Sequence, residues 1–165
     1  MRGSAAQQVY FLPIQGGQRV EGPTLGPLAD DIAYQVRQVQ SVIFRDQQIA
    51  LDQLEATPGE FGVLTLIEVN PGISQVDLAG LCRLDTSTLS AVVTRVVRRG
   101  LVRRWKSRED ARCSTLWLSR PGTALLRRMR LCMEERRQLM ETVLQPGERR
   151  QLLDILGRIS VALER

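Results

Sequence analysis

From Leu28 onward, apolar residues return at helical spacing. Leu28, Ile32, Val36, Val39, Ile43 and Phe44 form one stripe that extends toward Leu54, which predicts a long first helix. Thr57-Pro58-Gly59-Glu60 reads as a new start, with Thr57 as cap, Pro58 at the first position and Glu60 as the capping-box partner. Phe61, Val63, Leu64, Leu66, Ile67 and Val69 make this second helix largely apolar, and Asn70-Pro71-Gly72 stops it. Ile73-Ser74 opens a third helix, with Ser74 as N-cap and Asp77 at the box position. Its expected buried face is Val76, Leu78, Ala79 and Leu81. After a short turn at Cys82-Arg83-Leu84, Asp85 caps a fourth helix. That helix runs to Arg99 and ends at Gly100, a left-handed C-cap.

The pattern then shortens to strand length. Leu101–Lys106 and Cys113–Leu118 are predicted strands, the second with Ser114, Leu116 and Leu118 alternating, and Ser107–Arg112 is the charged tip between them. Pro121-Gly122 starts a long helix to about Leu144. Pro146-Gly147-Glu148 starts the last, striped by Leu152, Leu153, Ile155, Leu156, Ile159 and Leu163. The order is four helices, a hairpin and two helices. The predicted fold class is mainly α: a winged helix-turn-helix with a two-stranded β wing and N- and C-terminal dimerisation helices. Dimerisation enters because the stripes over Leu28–Phe44 and Gln145–Leu163 hold more apolar positions than a small winged helix can cover alone. The expected division is a flexible arm over 1–27, a dimerisation helix over 28–56, the DNA-binding domain over 57–119 and dimerisation helices over 120–165. The arm is rich in Gly, Pro and Gln. Within it, Val9–Leu12 is a short apolar patch for which a plain disordered tail is the favoured reading and docking on a partner subunit the alternative.

Charge sharpens this picture. The chain carries a net +5, and Ser74–Arg112 alone, with nine basic and four acidic residues, accounts for a charge of that size. The fourth helix is two-faced: Leu89, Val92, Val93 and Val96 fall on the core side. Ser87, Ser90, Ala91, Thr94 and Arg98 fall on the other, with Thr86 at the start. A small, polar face ending in cations fits a major groove roughly 12 Å wide, where hydroxyls meet base edges. The helix start offers free amides to phosphate. Lys106, Arg108 and Arg112 cluster where the strands meet, and a cationic hairpin tip suits the narrow minor groove. Asp110 is placed to hold Arg112 by a charge-assisted hydrogen bond. The expected DNA contacts are Thr86, Ser87, Thr88, Ser90, Ala91, Thr94, Arg95, Arg98, Lys106, Arg108, Asp110 and Arg112. Lys106 is the sole lysine. Because the preference for Arg covers the whole chain, codon bias accounts for it better than phosphate recognition does.

Several motifs together resemble the MarR (multiple-antibiotic-resistance regulator) family. They are Leu78-Ala79, Asp85-Thr86-Ser87-Thr88-Leu89-Ser90, Gly100-Leu101-Val102-Arg103-Arg104, Glu109-Asp110-Ala111-Arg112 and Leu118-Ser119-Arg120-Pro121-Gly122. The resemblance runs from about Leu28 to the C-terminus. It implies a homodimeric, ligand-responsive repressor that binds a palindromic operator in double-stranded DNA. Two positions depart from the pattern: Ala91 and Ala111 stand where polar or basic residues are frequent. Reading then leans on Ser87, Ser90 and Thr94, with Ala91 against a thymine methyl. The resemblance also implies a pocket for a small aromatic or anionic effector, for which Tyr34, Arg37, Phe44 and Phe61 are candidates; simple core packing is the alternative for the rings.

Other chemistry finds little support. Cys82, Cys113 and Cys132 are far apart and odd in number, and there is no histidine. That pattern supplies neither a disulfide framework nor a zinc set, and it lacks the usual general base. No nucleophile–base pair, phosphate loop or usefully spaced carboxylate pair stands out. No cofactor, metal or enzymatic activity is expected. No apolar run approaches the roughly 18 residues of a membrane span, and no signal peptide is visible, so the expected location is the cytoplasm. The rival to DNA binding is a winged-helix protein-interaction module, which would lack the small, cationic outer face.

Overall fold

The computed structural model describes residues 23–106 and 114–164. The chain divides into two units, Met1–Ile43 and Phe44–Arg165. In the first, a 3-10 turn at Gly26–Ala29 precedes α1 (Ile32–Asp52), which continues across the boundary. The helix therefore begins four residues later than the apolar stripe suggests. Asp31 is the reason: its Oδ1 accepts the Tyr34 N–H at 2.6 Å, and its carbonyl accepts the Gln35 N–H. A free amide near the helix start is thereby satisfied.

The second unit holds α2 (Pro58–Val69), β1 (Ile73–Ser74), α3 (Gln75–Cys82), α4 (Thr86–Arg98), β2 (Val102–Lys106), β3 (Ser114–Leu118), α5 (Arg120–Thr142) and α6 (Glu148–Leu163). The Thr57 box forms as expected. Thr57 Oγ1 accepts the Glu60 N–H at 3.1 Å, and Glu60 Oε2 accepts the Thr57 N–H at 2.9 Å. Ser74 caps α3, yet Ile73-Ser74 is also a strand. It pairs antiparallel with β3, Ile73 opposite Leu116 and Ser74 opposite Thr115. The expected two-stranded wing is thus a three-stranded sheet of order β1-β3-β2. β2 pairs with β3 from Val102–Leu118 to Lys106–Ser114.

The core gathers Leu51 from the end of α1, Val63, Leu64 and Ile67 from α2, and Leu78 and Ala79 from α3. Leu89, Val93 and Val96 join from α4, Leu116 from β3, and Leu126 and Met129 from α5. Burying each of the large aliphatic side chains contributes about 1.5–3 kcal/mol. Two expected core residues of α3 lie outside: Val76 and Leu81 are 71% and 54% exposed. At 3.6 residues per turn Val76 sits about 200° around the helix from Leu78, so one face cannot hold both. Leu78 and Ala79 define the buried side, with Cys82 packed against it. Burial pushes the Cys82 thiol up, away from the reactive thiolate.

Along α6, Leu152, Leu153, Leu156 and Leu163 are exposed and no residue is buried. On α1, Ile32, Val36, Val39 and Val42 are exposed as well. Among the described residues, no helix is long and apolar enough to cross a membrane.

Candidate nucleic-acid interface

The candidate element is a helix-turn-helix: α3, a turn, and α4. α3 ends in a left-handed residue, Arg83 at φ 50°, where a glycine would be commoner. Arg83 N–H reaches the Gly80 carbonyl and Leu84 N–H the Ala79 carbonyl, which closes the turn. Asp85 then caps α4. Its Oδ1 accepts the Thr88 N–H at 2.8 Å and the Ser87 hydroxyl, and its Oδ2 accepts the Thr88 hydroxyl at 2.7 Å. Those bonds, led by the Ser87 hydroxyl, hold the Asp85 carboxyl well below the usual carboxylate range. The stabilisation this gives is present above the ordinary carboxylate pKa and is lost only as pH falls through the depressed value. At neutral pH the cap is fully charged.

At its other end α4 closes in a Schellman motif. Gly100, at φ 71°, donates its N–H to Val97, and Leu101 donates to Val96. Leu101 is thereby the buried corner from which β2 departs, and the strand itself starts at Val102.

Ser87, Ser90, Ala91, Thr94, Arg95 and Arg98 line one shallow, open depression on the outer face of α4. Six of the expected contacts are thus brought to one surface. Thr86 is exposed at the start of the helix. Ser87 and Thr88 have their hydroxyl protons committed to Asp85, which leaves their oxygens as acceptors. Ser90 and Thr94 hydroxyls have no hydrogen-bond partner among the described residues. Arg95 and Arg98 make no ion pair among them either. Arg99 differs: its guanidinium lies 3.1 and 3.2 Å from the two carboxylate oxygens of Glu60. Lys106 is the last residue of β2. Arg108, Asp110, Arg112 and Cys113 lie outside the described residues.

The four effector candidates fall in different units. Tyr34 and Arg37 are in the first, with the Arg37 guanidinium carbon 5.8 Å from the Tyr34 ring centroid. That distance suits a cation–π contact. Phe44 and Phe61 belong to the second, the former exposed and the latter packed against the core.

Sequence reasoning missed other residues that shape this surface. Ser119 Oγ lies 2.7 Å from the Gly100 carbonyl and 2.9 Å from that of Leu101, and it accepts the Gly122 N–H. This ties the end of α4 to the start of α5. Trp105 and Trp117 stand exposed on the outer face of the sheet, where the register places them with Arg103 and Thr115. A signal existed for Ser119, which precedes Pro121-Gly122 as a cap should. None pointed to the carbonyls it reaches.

The MarR family model matches residues 56–114, which span the second helix to the first residue of β3. A protein named as transcriptional regulator for the hcr operon of Thauera aromatica is 31% identical over 135 residues, 81% of each chain. Among solved structures, the PcaV transcriptional regulator of Streptomyces coelicolor, in complex with its natural ligand, is 26% identical. It covers 83% of this chain and 96% of its own, with a TM-score of 0.74. The transcriptional repressor CouR, bound to a 23-mer DNA duplex, is 27% identical. It covers 84% of this chain and 99% of its own, with a TM-score of 0.78. This chain belongs to the MarR family of transcriptional regulators.

Proposed function

We propose that the protein acts as a homodimeric repressor that binds an operator in duplex DNA with α4 in the major groove. The observation that carries this reading is the single open surface formed by Ser87, Ser90, Ala91, Thr94, Arg95 and Arg98. It is shallow, four of its six side chains are small, and its two cations make no ion pair among the described residues. That combination admits a groove wall, presents hydroxyls to base edges and attracts phosphate. The likeness to CouR, a repressor seen bound to a 23-mer DNA duplex, supports duplex DNA as the partner. Residues 57–119 form the DNA-binding part, and Lys106, Arg108 and Arg112, with Asp110 as support, supply the wing contacts in the minor groove. The protein does its work on DNA in the cytoplasm and catalyses no reaction of its own. The test is to recover the genomic fragment the purified chain retains and to titrate it against random duplex at three salt concentrations. A preference of roughly 10³-fold or more for the fragment, with a linear fall of log K against log salt, is expected. Equal affinity for both duplexes overturns the reading.

The dimer is part of the proposal. No residue of α6 is fully buried within the chain, and the α1 stripe is exposed too. A two-fold interface covers both and spaces two copies of α4 by roughly 34–36 Å, one turn of DNA. Light scattering at micromolar concentration is expected to give about twice 18.6 kDa. A monomer mass that persists on mixing with DNA contradicts it.

The effector is proposed as a small aromatic acid or its thioester. Arg37 beside Tyr34 offers a cation and a ring, and PcaV has been seen with its natural ligand. In a thermal-shift screen, an aromatic carboxylate is expected to stabilise the chain and to weaken its hold on the operator. Stabilisation with unchanged DNA affinity removes the regulatory half of the proposal.

A further inference from the structure

Glu60 is the most buried charged side chain described, 1% exposed, and it serves two partners at once. Its Oε2 accepts the Thr57 N–H at 2.9 Å and so holds the first turn of α2. Both its oxygens face Arg99 Nη1, at 3.1 and 3.2 Å, across 39 residues of sequence. Arg99 is the C-cap of α4 and immediately precedes Gly100, whose left-handed turn starts the path into β2. The pair therefore grips the corner from which both DNA-facing elements leave. On one side are Arg95 and Arg98, within the preceding turn of α4. On the other is β2, Val102–Lys106.

A buried ion pair contributes little net stability, because desolvation offsets the attraction. What it does fix is geometry: Thr57 orients the carboxylate, and one Arg99 nitrogen, Nη1, is held between its two oxygens. Apolar contacts between α2 and α4 tolerate small slips; this hydrogen bond does not. A reading helix must hold its hydroxyls to within fractions of an ångström of base edges. Phosphate contacts, made by long flexible arginines, are far less demanding.

We propose that Glu60 and Arg99 form a positioning pair that sets the placement of α4 and the wing against α2, and so determines discrimination between operator and random DNA. The proposal rests on the DNA-binding reading above. It also takes Arg99 out of the phosphate-binding set to which its charge would assign it.

The test uses the full chain carrying Glu60→Gln, with Arg99→Lys beside it. Glutamine keeps the size of the side chain and still accepts the Thr57 N–H, so the capping box survives. Operator affinity is expected to fall about tenfold, the scale of one lost base contact. Affinity for random duplex should stay within about twofold with an unchanged salt slope, because the phosphate contacts remain. Arg99→Lys keeps the charge and is expected to retain more of the preference than Glu60→Gln does. Amide hydrogen exchange is the second readout. Val96–Leu101 should exchange faster by about tenfold while Leu126–Met133 in α5 stays as protected as in the wild type. Equal losses on both duplexes, or faster exchange spread evenly through the core, reduce the pair to ordinary stability and overturn the proposal. A wild-type chain that prefers no duplex sinks the DNA-binding reading instead. The exchange pattern then still decides whether the pair holds α4 in place.

Discussion

Gly122→Ala is expected to destabilise the chain by on the order of 3 kcal/mol, the upper part of the range for overpacking. The cause is space. Gly122 lies in the first turn of α5, and a Cβ there would stand 2.1 Å from the Leu101 carbonyl oxygen, with the Leu118 side chain at 3.0 Å. The carbonyl cannot swing aside cheaply, since it accepts the Ser119 N–H at 3.0 Å and lies 2.9 Å from Ser119 Oγ. Either those bonds break or α5 shifts away from the Gly100-Leu101 corner. For a chain of this size the loss corresponds to roughly 6–12 °C in Tm, measured by calorimetry. Gly80→Ala, where nothing lies within 4 Å of the added carbon, is the control. It should be neutral or stabilising by up to about 1 kcal/mol, because alanine is the better helix former. A Gly122→Ala chain that melts with the wild type would mean that the close approach of α5 to Leu101 is absent in solution.

The second large effect is expected on DNA. Thr94 is exposed and Ser90 half-buried on the outer face of α4, and both hydroxyls lack partners among the described residues. Replacing either with leucine should cost about 1–3 kcal/mol on the operator, the usual cost of one lost base contact. Binding to random duplex and its salt slope should hardly change. Arg95→Ala and Arg98→Ala should behave the other way. Each should weaken both duplexes by similar factors and lower the slope of log K against log salt by about one. Equilibrium titrations on both duplexes separate the two classes. Should the leucine substitutions abolish random binding while the arginine substitutions spare it, the reading and anchoring roles have been exchanged.

What the sequence made legible was local. The Thr57–Glu60 box, the Ser74 cap and the Asp85 cap each need only four consecutive residues, and all three formed. The core face of α4 was legible because 13 residues give a full helical period to count. α3 has eight residues, too few for its apolar positions to mark one side unambiguously, and Val76 and Leu81, which the pattern places inward, face out. β1 has two residues and no period at all; it exists because β3 offers Leu116 and Thr115 as partners more than forty positions later. The links that fix the interface are long-range in the same way. Glu60 was legible as a cap but not as the partner of Arg99, and Gly122 as a helix start but not as a contact of Leu101.

In the proposed complex the outer face of α4 lies in the major groove, twice per dimer. Dimethyl sulfate footprinting on the recovered operator tests it directly, since guanine N7 is open only on the major-groove edge. Two protected guanine clusters centred about 10 base pairs apart are expected, both weakened together by Thr94→Leu. A bound complex that leaves guanine N7 reactive throughout would contradict it.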